Sequence, residues 1–145
     1  MVLGGQPISA IDIPAPFAVA ANADSANLTA SFVDMPGCTI DIATIGASAK
    51  IWVTATVQYT VTAFTSTAAA STQLLVDGAA QPGSVVLVPT ANSFQVTAGQ
   101  SWLVTVSPGT HTLKLQSRNS VPANMTVITR ATSSNLGGVV FDSSL

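Results

Sequence analysis

The chain has no glutamate, one histidine, one cysteine and one tyrosine, and only 7% of its 145 residues are charged. Each shortage removes a class of function. Soluble chains usually carry about 25% charged residues, so solubility here must come from Thr, Ser, Asn and Gln. The four basic residues, Lys50, Lys114, Arg118 and Arg130, form no run, and the formal net charge is −2. Such a surface has no field to draw in nucleic acid or an anionic membrane, so neither is expected as a partner. A lone cysteine, Cys38, makes no internal disulfide and excludes a stapled scaffold; a buried apolar role is expected for it. A lone histidine, His111, excludes a histidine metal site within one chain and reads as a turn-flanking residue bonded to nearby backbone. No stretch reaches the ~18 continuous apolar residues that a membrane-spanning helix needs.

Catalytic parts are equally scarce. The acids are six scattered aspartates, Asp12, Asp24, Asp34, Asp41, Asp77 and Asp142, and no pair is singled out for glycoside hydrolysis. Asp34 and Asp41 flank Met-Pro-Gly without the alternating acids of a calcium loop. "LGG" at 3–5 and "LGGVV" at 136–140 lack phosphate-loop spacing, and no G-x-S-x-G elbow occurs. The sequence therefore predicts no catalytic residue, no cofactor and no metal. "AVAANA" resembles a cleavage site, yet no Lys or Arg precedes Lys50, and Asp12, Pro14 and Pro16 interrupt the apolar run. Synthesis in a cytoplasm without a signal peptide is the expectation.

What the chain does have is alternation. In "AKIWVTATVQYTVTA" (49–63) the odd positions Ile51, Val53, Ala55, Val57, Tyr59 and Val61 are apolar, and the even positions Thr54, Thr56, Gln58, Thr60 and Thr62 are polar and uncharged. That is a strand with one buried face. Shorter runs follow between turn residues: 27–34, 38–44, 71–78, 84–88, 92–97, 101–106, 111–117 and 124–131. Asp77-Gly78 marks a hairpin turn. Pro108-Gly109 fits a type II turn and predicts a second hairpin between 101–106 and 111–117. Trp102 shares parity with Val104 and Val106 and reads as core, whereas Trp52 takes the parity of the threonine face. The fold class is all-β: a jelly-roll sandwich of about eight to ten antiparallel strands. Residues 1–26, with prolines flanking Ala15, read as an extended N-terminal arm ahead of a sandwich domain at 27–145. The arm docks on a neighbour or lies as an edge strand on its own domain; both readings stay open.

The succession "AKIWVTATVQYTV", "LLVDGAAQPGS", "WLVTVSPGTHTLKLQSRNS" and "MTVITRATSS" resembles the jelly-roll modules of tailed-bacteriophage structural proteins, especially those of phages infecting actinobacteria. That fold is related to the trimeric tumour-necrosis-factor heads. The resemblance spans a little over half the chain and rests on strand and turn chemistry. It implies a virion component: a trimeric capsid decoration protein whose partner is the major capsid protein, or a minor tail protein at a tail tip or fibre head that binds a host surface glycan. In the decoration reading Ile8, Ile11, Ile13, Pro14, Pro16 and Phe17 of the arm contact the capsid or a neighbour. Trp52, Thr54, Thr56, Gln58, Thr60 and Thr62 then form the interface face, where Thr and Gln bond across copies without the cost of buried charge.

Overall fold

A computed structural model describes residues 14–141. Its eight strands are β1 (Ala15–Ala20), β2 (Val33–Thr44), β3 (Ala49–Phe64), β4 (Ala70–Val76), β5 (Ala79–Leu87), β6 (Phe94–Val106), β7 (Gly109–Asn119) and β8 (Met125–Phe141). They form two antiparallel sheets with orders β1-β8-β3-β6 and β2-β7-β4-β5. Among consecutive strands only β4 and β5 are paired; the other connections pass from one sheet to the other. This is the jelly-roll arrangement.

The alternation of β3 is realised along its length. Ile51, Val53, Val57, Tyr59 and Val61 are fully buried, and Trp52 is 53% exposed. From the facing sheet, Leu74 on β4 and Leu113 and Leu115 on β7 meet them in one core. Trp102 is buried there with Val104 and Val106, and Cys38 is inaccessible. Burial pushes the Cys38 thiol up to about 11, which leaves it protonated and inert.

Several sequence boundaries are corrected. The hairpin expected at Pro108-Gly109 does not form, because β6 and β7 lie in different sheets. Gly109, at φ 143°, instead turns the chain across the sandwich. Met-Pro-Gly does not end a strand: β2 runs through it with a break in register between Asp34 and Thr39. There Gly37 has φ 79°, and a Cβ would meet the Asn22 backbone nitrogen at 2.7 Å. The runs at 92–97 and 101–106 are one strand through Gly99. Residues 27–32 form no strand, whereas β8 extends through the unpatterned segment 132–141. Ala15–Ala20 of the expected arm is β1, an edge strand paired with Asn135–Val140.

One polar chain crosses the core. The Tyr59 hydroxyl on β3 lies 2.6 Å from Thr72 Oγ1 on β4, which lies 2.5 Å from Ser117 Oγ on β7. Burial holds the Tyr59 phenol neutral, its pKa raised to about 12. Nearby, the buried Asn119 amide donates to the Met125 carbonyl at 2.6 Å. Hydroxyls buried this way are satisfied only by one another, so they fix how the two sheets stack. Tyr59→Phe is expected to lower unfolding free energy by about 1–2 kcal/mol, since one hydrogen bond is lost while Thr72 and Ser117 keep each other. Urea unfolding of both proteins measures it.

Candidate interaction surface

The register converts the outward positions of the first sheet into rows that cross all four strands. One row reads Pro16, Val139, Trp52, Leu103; the next Ala18, Gly137, Thr54, Ser101; the next Ala20, Asn135, Thr56, Gly99. The first row is apolar from edge to edge, with Leu103 69% exposed beside Trp52. The second and third carry small side chains. Beyond them come Arg130, Gln58, Thr97 and then Ile128, Thr60, Gln95.

The glycines at 137 and 138 let β1 and β3 close over β8. A Cβ at Gly137 would meet the Phe17 carbonyl oxygen at 3.1 Å, and one at Gly138 would meet the Trp52 carbonyl oxygen at 2.1 Å. An open depression of about 570 Å³ lies over them, between Ala18 and Thr54. Two smaller ones, of about 310 and 370 Å³, lie beside Trp52 and Leu103 and beside Thr60 and Gln95. None is enclosed. Among the described residues no group of three or more His, Cys, Asp or Glu side chains is placed to hold a metal.

Two threonines of this face turn back on the sheet. Thr54 Oγ1 donates to the Gly137 carbonyl at 3.3 Å, and Thr62 Oγ1 to the Thr126 carbonyl at 3.4 Å. The Gln58 backbone N–H donates to Ser134 Oγ at 3.0 Å, across the β8 irregularity. Among the described residues, the two buried side-chain polar atoms without a partner are Thr60 Oγ1 and Arg130 Nε, both on this face.

Among the described residues, charge on this face is limited to Arg130 and Lys50. The outer face of the second sheet pairs Lys114 with Asp34 at 2.9 Å. Hydrogen bonds from Gln116 and then Lys114 hold the Asp34 carboxyl below its ordinary range. Asp41 accepts from Thr112 Oγ1 at 2.6 Å, and Arg118 lies 4.6 Å over the Phe32 ring. On the first sheet Arg130 is held by Asp24 at 2.8 Å, and Lys50 sits at the end of the face beside Phe141.

The expected residues divide accordingly. Trp52, Thr54, Thr56, Gln58, Thr60 and Thr62 stand together on one face, with Pro16 continuing their apolar row. Phe17 is half-buried and turned to the core side, its ring against Gly138. Pro14 is exposed. Ile8, Ile11 and Ile13 lie outside the described residues. Sequence reasoning missed Leu103, Val139 and Phe141. For Leu103 the signal was present, since burial of Trp102 and Val104 forces the residue between them outward.

His111 makes the backbone bond expected of it and a further one. Its Nε2–H donates to the Ser107 carbonyl at 2.8 Å, and Nδ1 lies 2.7 Å from Asp77 Oδ2. Asp77 Oδ1 accepts the Thr112 N–H at 2.9 Å, and the Ser107 carbonyl also accepts from Thr44 Oγ1 at 2.8 Å. Both ring nitrogens face acceptors, which favours the imidazolium. The bond to Asp77, then that to Ser107, raises the His111 pKa, and His111 in turn lowers that of Asp77. The clamp ties the β4–β5 turn to the crossing between β6 and β7.

Comparison with known proteins speaks to the fold. No protein-family model matches the sequence, and no curated protein matches it. Among solved structures the chain is similar to Eiger TNF from S. frugiperda, with 10% identity and a TM-score of 0.52 over 86% of this chain and 90% of that one. It is also similar to a chain of the T13 IBDV viral particle, with 9% identity and a TM-score of 0.57 over 96% of this chain and 35% of that one. Dimeric latent PorU from Porphyromonas gingivalis aligns at 10% identity and a TM-score of 0.50, over 89% of this chain and 13% of its own. At these identities the likeness is one of fold.

The His111 clamp has a pH signature. A raised folded-state pKa contributes stability fully below the unfolded value of about 6.5, and that contribution is lost as pH rises through the folded value. Wild type should therefore exceed His111→Gln in urea midpoint at about pH 6, and the gap should narrow by about pH 9. A gap unchanged across that range would mean that His111 is neutral in the fold.

Proposed function

We propose that this chain is a non-enzymatic virion structural protein: a trimeric decoration protein that binds and stabilises an assembled capsid shell. One observation carries the reading: the uncharged run that β3 and β6 present on the outer face of the first sheet. Asp34, Asp41 and Lys114 meet solvent on the second sheet, while on the first Lys50 lies at the end of the outer face and Arg130, paired with Asp24, lies beside Gln58. The first sheet presents an uncharged run from Trp52 to Thr62 on β3 and from Gln95 to Thr105 on β6. A face built this way can be covered by a further copy without stranding an ion. At about 4.8 Å between strands and 3.4 Å per residue, a sheet of this size offers several hundred Å². That is near the ~800 Å² per partner of an ordinary stable interface.

The likeness of fold to a TNF and to a chain of a viral particle supports the reading, as does the sequence resemblance to phage jelly-roll modules. In this assembly the outer face of the first sheet surrounds the trimer axis, and the arm and one end of the trimer engage the major capsid protein. Joining three weak contacts in one particle raises capsid affinity by avidity. A second reading, a tail-tip or fibre-head module for a host surface glycan, draws on the exposed Trp52 ring, which could stack on a sugar.

Thr54→Arg places an uncompensated charge at the centre of the face. It should weaken self-association by about 3 kcal/mol or more, roughly a hundredfold or greater, while Ala43→Arg on the second sheet should not. Sedimentation at micromolar concentration measures both, and a monomeric wild type would defeat the trimer. Co-sedimentation with capsids lacking the protein tests the shell role. Binding to host cell walls but not to capsids would favour the glycan reading.

A further inference from the structure

An open sheet exposes unpaired backbone groups along both edges, and soluble proteins blunt such edges with proline, charge, bulges or short length. Three of the four edges here carry these devices. β1 has six residues and contains Pro16. β2 carries Asp34 and Asp41 and is broken at Pro36-Gly37, where the Asn22 N–H bonds to the Pro36 carbonyl at 3.1 Å. β5 contains Pro82 and Gly83, the latter at φ 87°, and its register with β4 shifts.

β6 has none of them. Its thirteen residues include no proline and no charge, and its register with β3 is unbroken from Phe94 to Val106. It occupies the rim of the first sheet, and among the described residues no loop backbone group hydrogen-bonds to it.

We propose that the free edge of β6 pairs antiparallel with β6 of a second copy about a two-fold axis at Gln100, joining the two first sheets into one. The sequence of the strand is complementary to itself in that register. On the core side Ala98 falls opposite Trp102, Val96 opposite Val104 and Phe94 opposite Val106, so the largest ring meets the smallest side chain. On the outer side Gly99 meets Ser101 and Gln95 meets Thr105. No pair sets like charges together, because the strand has none. A slip of one residue would set core-side positions opposite outer ones. A slip of two in either direction would put the Gln100 amide against Ala98 or Trp102. Centred on Gln100, the two amides face each other, and each can exchange its present bond to the Ser101 carbonyl, at 3.1 Å, for its counterpart. Main-chain bonds along the strand supply affinity, as in strand addition generally.

The pairing does not rest on the trimer, because it uses the rim of the sheet and not its face. If the trimer also forms, β6 joins one trimer to the next.

The test is cross-linking. Opposed residues in an antiparallel pair have Cα atoms ~4.5–5.5 Å apart, within the reach of a disulfide. With oxidised glutathione as the oxidant, two Gln100→Cys thiols should join into a covalent dimer, releasing two glutathione thiols. The reaction should run at least about tenfold faster than for Ala43→Cys, at an exposed site on β2; Cys38 is inaccessible and does not compete. Register is checked by mixing Thr97→Cys with Leu103→Cys, which should cross-link to each other and not each to itself. Gln100→Lys, which sets two ammonium groups face to face, should reduce the mass of the native assembly. Cross-linking of Gln100→Cys no faster than of Ala43→Cys would overturn the pairing, whatever the wild-type mass. Unchanged cross-linking in a Thr54→Arg background together with loss of the trimer would separate the edge from the face.

Discussion

β3 pairs with β6 on one flank and β8 on the other, so one period-two pattern decides which way three strands face. Ile51, Val53, Val57, Tyr59 and Val61 are fully buried, each worth about 1.5–3 kcal/mol on leaving water. A one-residue slip would exchange them for Trp52 and the threonines. The register is pinned by that difference, and with it every outward row of the first sheet. The hydroxyl chain from Tyr59 through Thr72 to Ser117 then fixes the second sheet against the first at a single depth.

Charge follows from the same constraint. With so few ionisable groups, each must sit where water or a partner satisfies it, and among the described residues Lys50 and Arg130 do so on the outer face of the first sheet. Asp34 and Lys114 pair on the second sheet, Asp24 and Arg130 at the β8 irregularity, and Asp77 and His111 at one end of the sandwich. The last pair matters mechanically. His111 joins the β4–β5 turn to the β6–β7 crossing and so reinforces the pairing of β4 with β7, which ends beside it at Val76 and Leu113.

How much was legible in the sequence follows from which interactions are local. The faces of β3 and the opposite parities of Trp52 and Trp102 could be read, because alternation is a property of neighbouring residues. Asp77-Gly78 could be read as a hairpin for the same reason. Pro108-Gly109 announced a turn but not its destination: a crossing between sheets and a hairpin place similar demands on backbone angles, and only the remote pairing of β7 with β2 and β4 distinguishes them. The last strand was missed beyond Ala131 because "SSNLGG" alternates poorly. Its glycines answer to the closeness of the Trp52 and Phe17 backbones, which no local pattern records. The outward face was legible on β3 alone, and the row from Pro16 to Leu103 needed the register of four strands.

Threonine, and not lysine or glutamate, suits a face that stands in water yet, in the proposed assembly, is covered by another copy. A lysine would keep the monomer soluble, but burying it unpaired costs several kcal/mol. Valine would be easily covered, but a whole face of it would invite collapse against any apolar surface. Threonine is strand-favouring like valine, and at Thr54 and Thr62 the hydroxyl is already engaged by a carbonyl of β8. Covering such a residue strands no donor, so the penalty of about 1–3 kcal/mol for an unsatisfied buried polar group does not arise. Beside Thr54, Ala18, Gly137 and Ser101 keep this part of the face low.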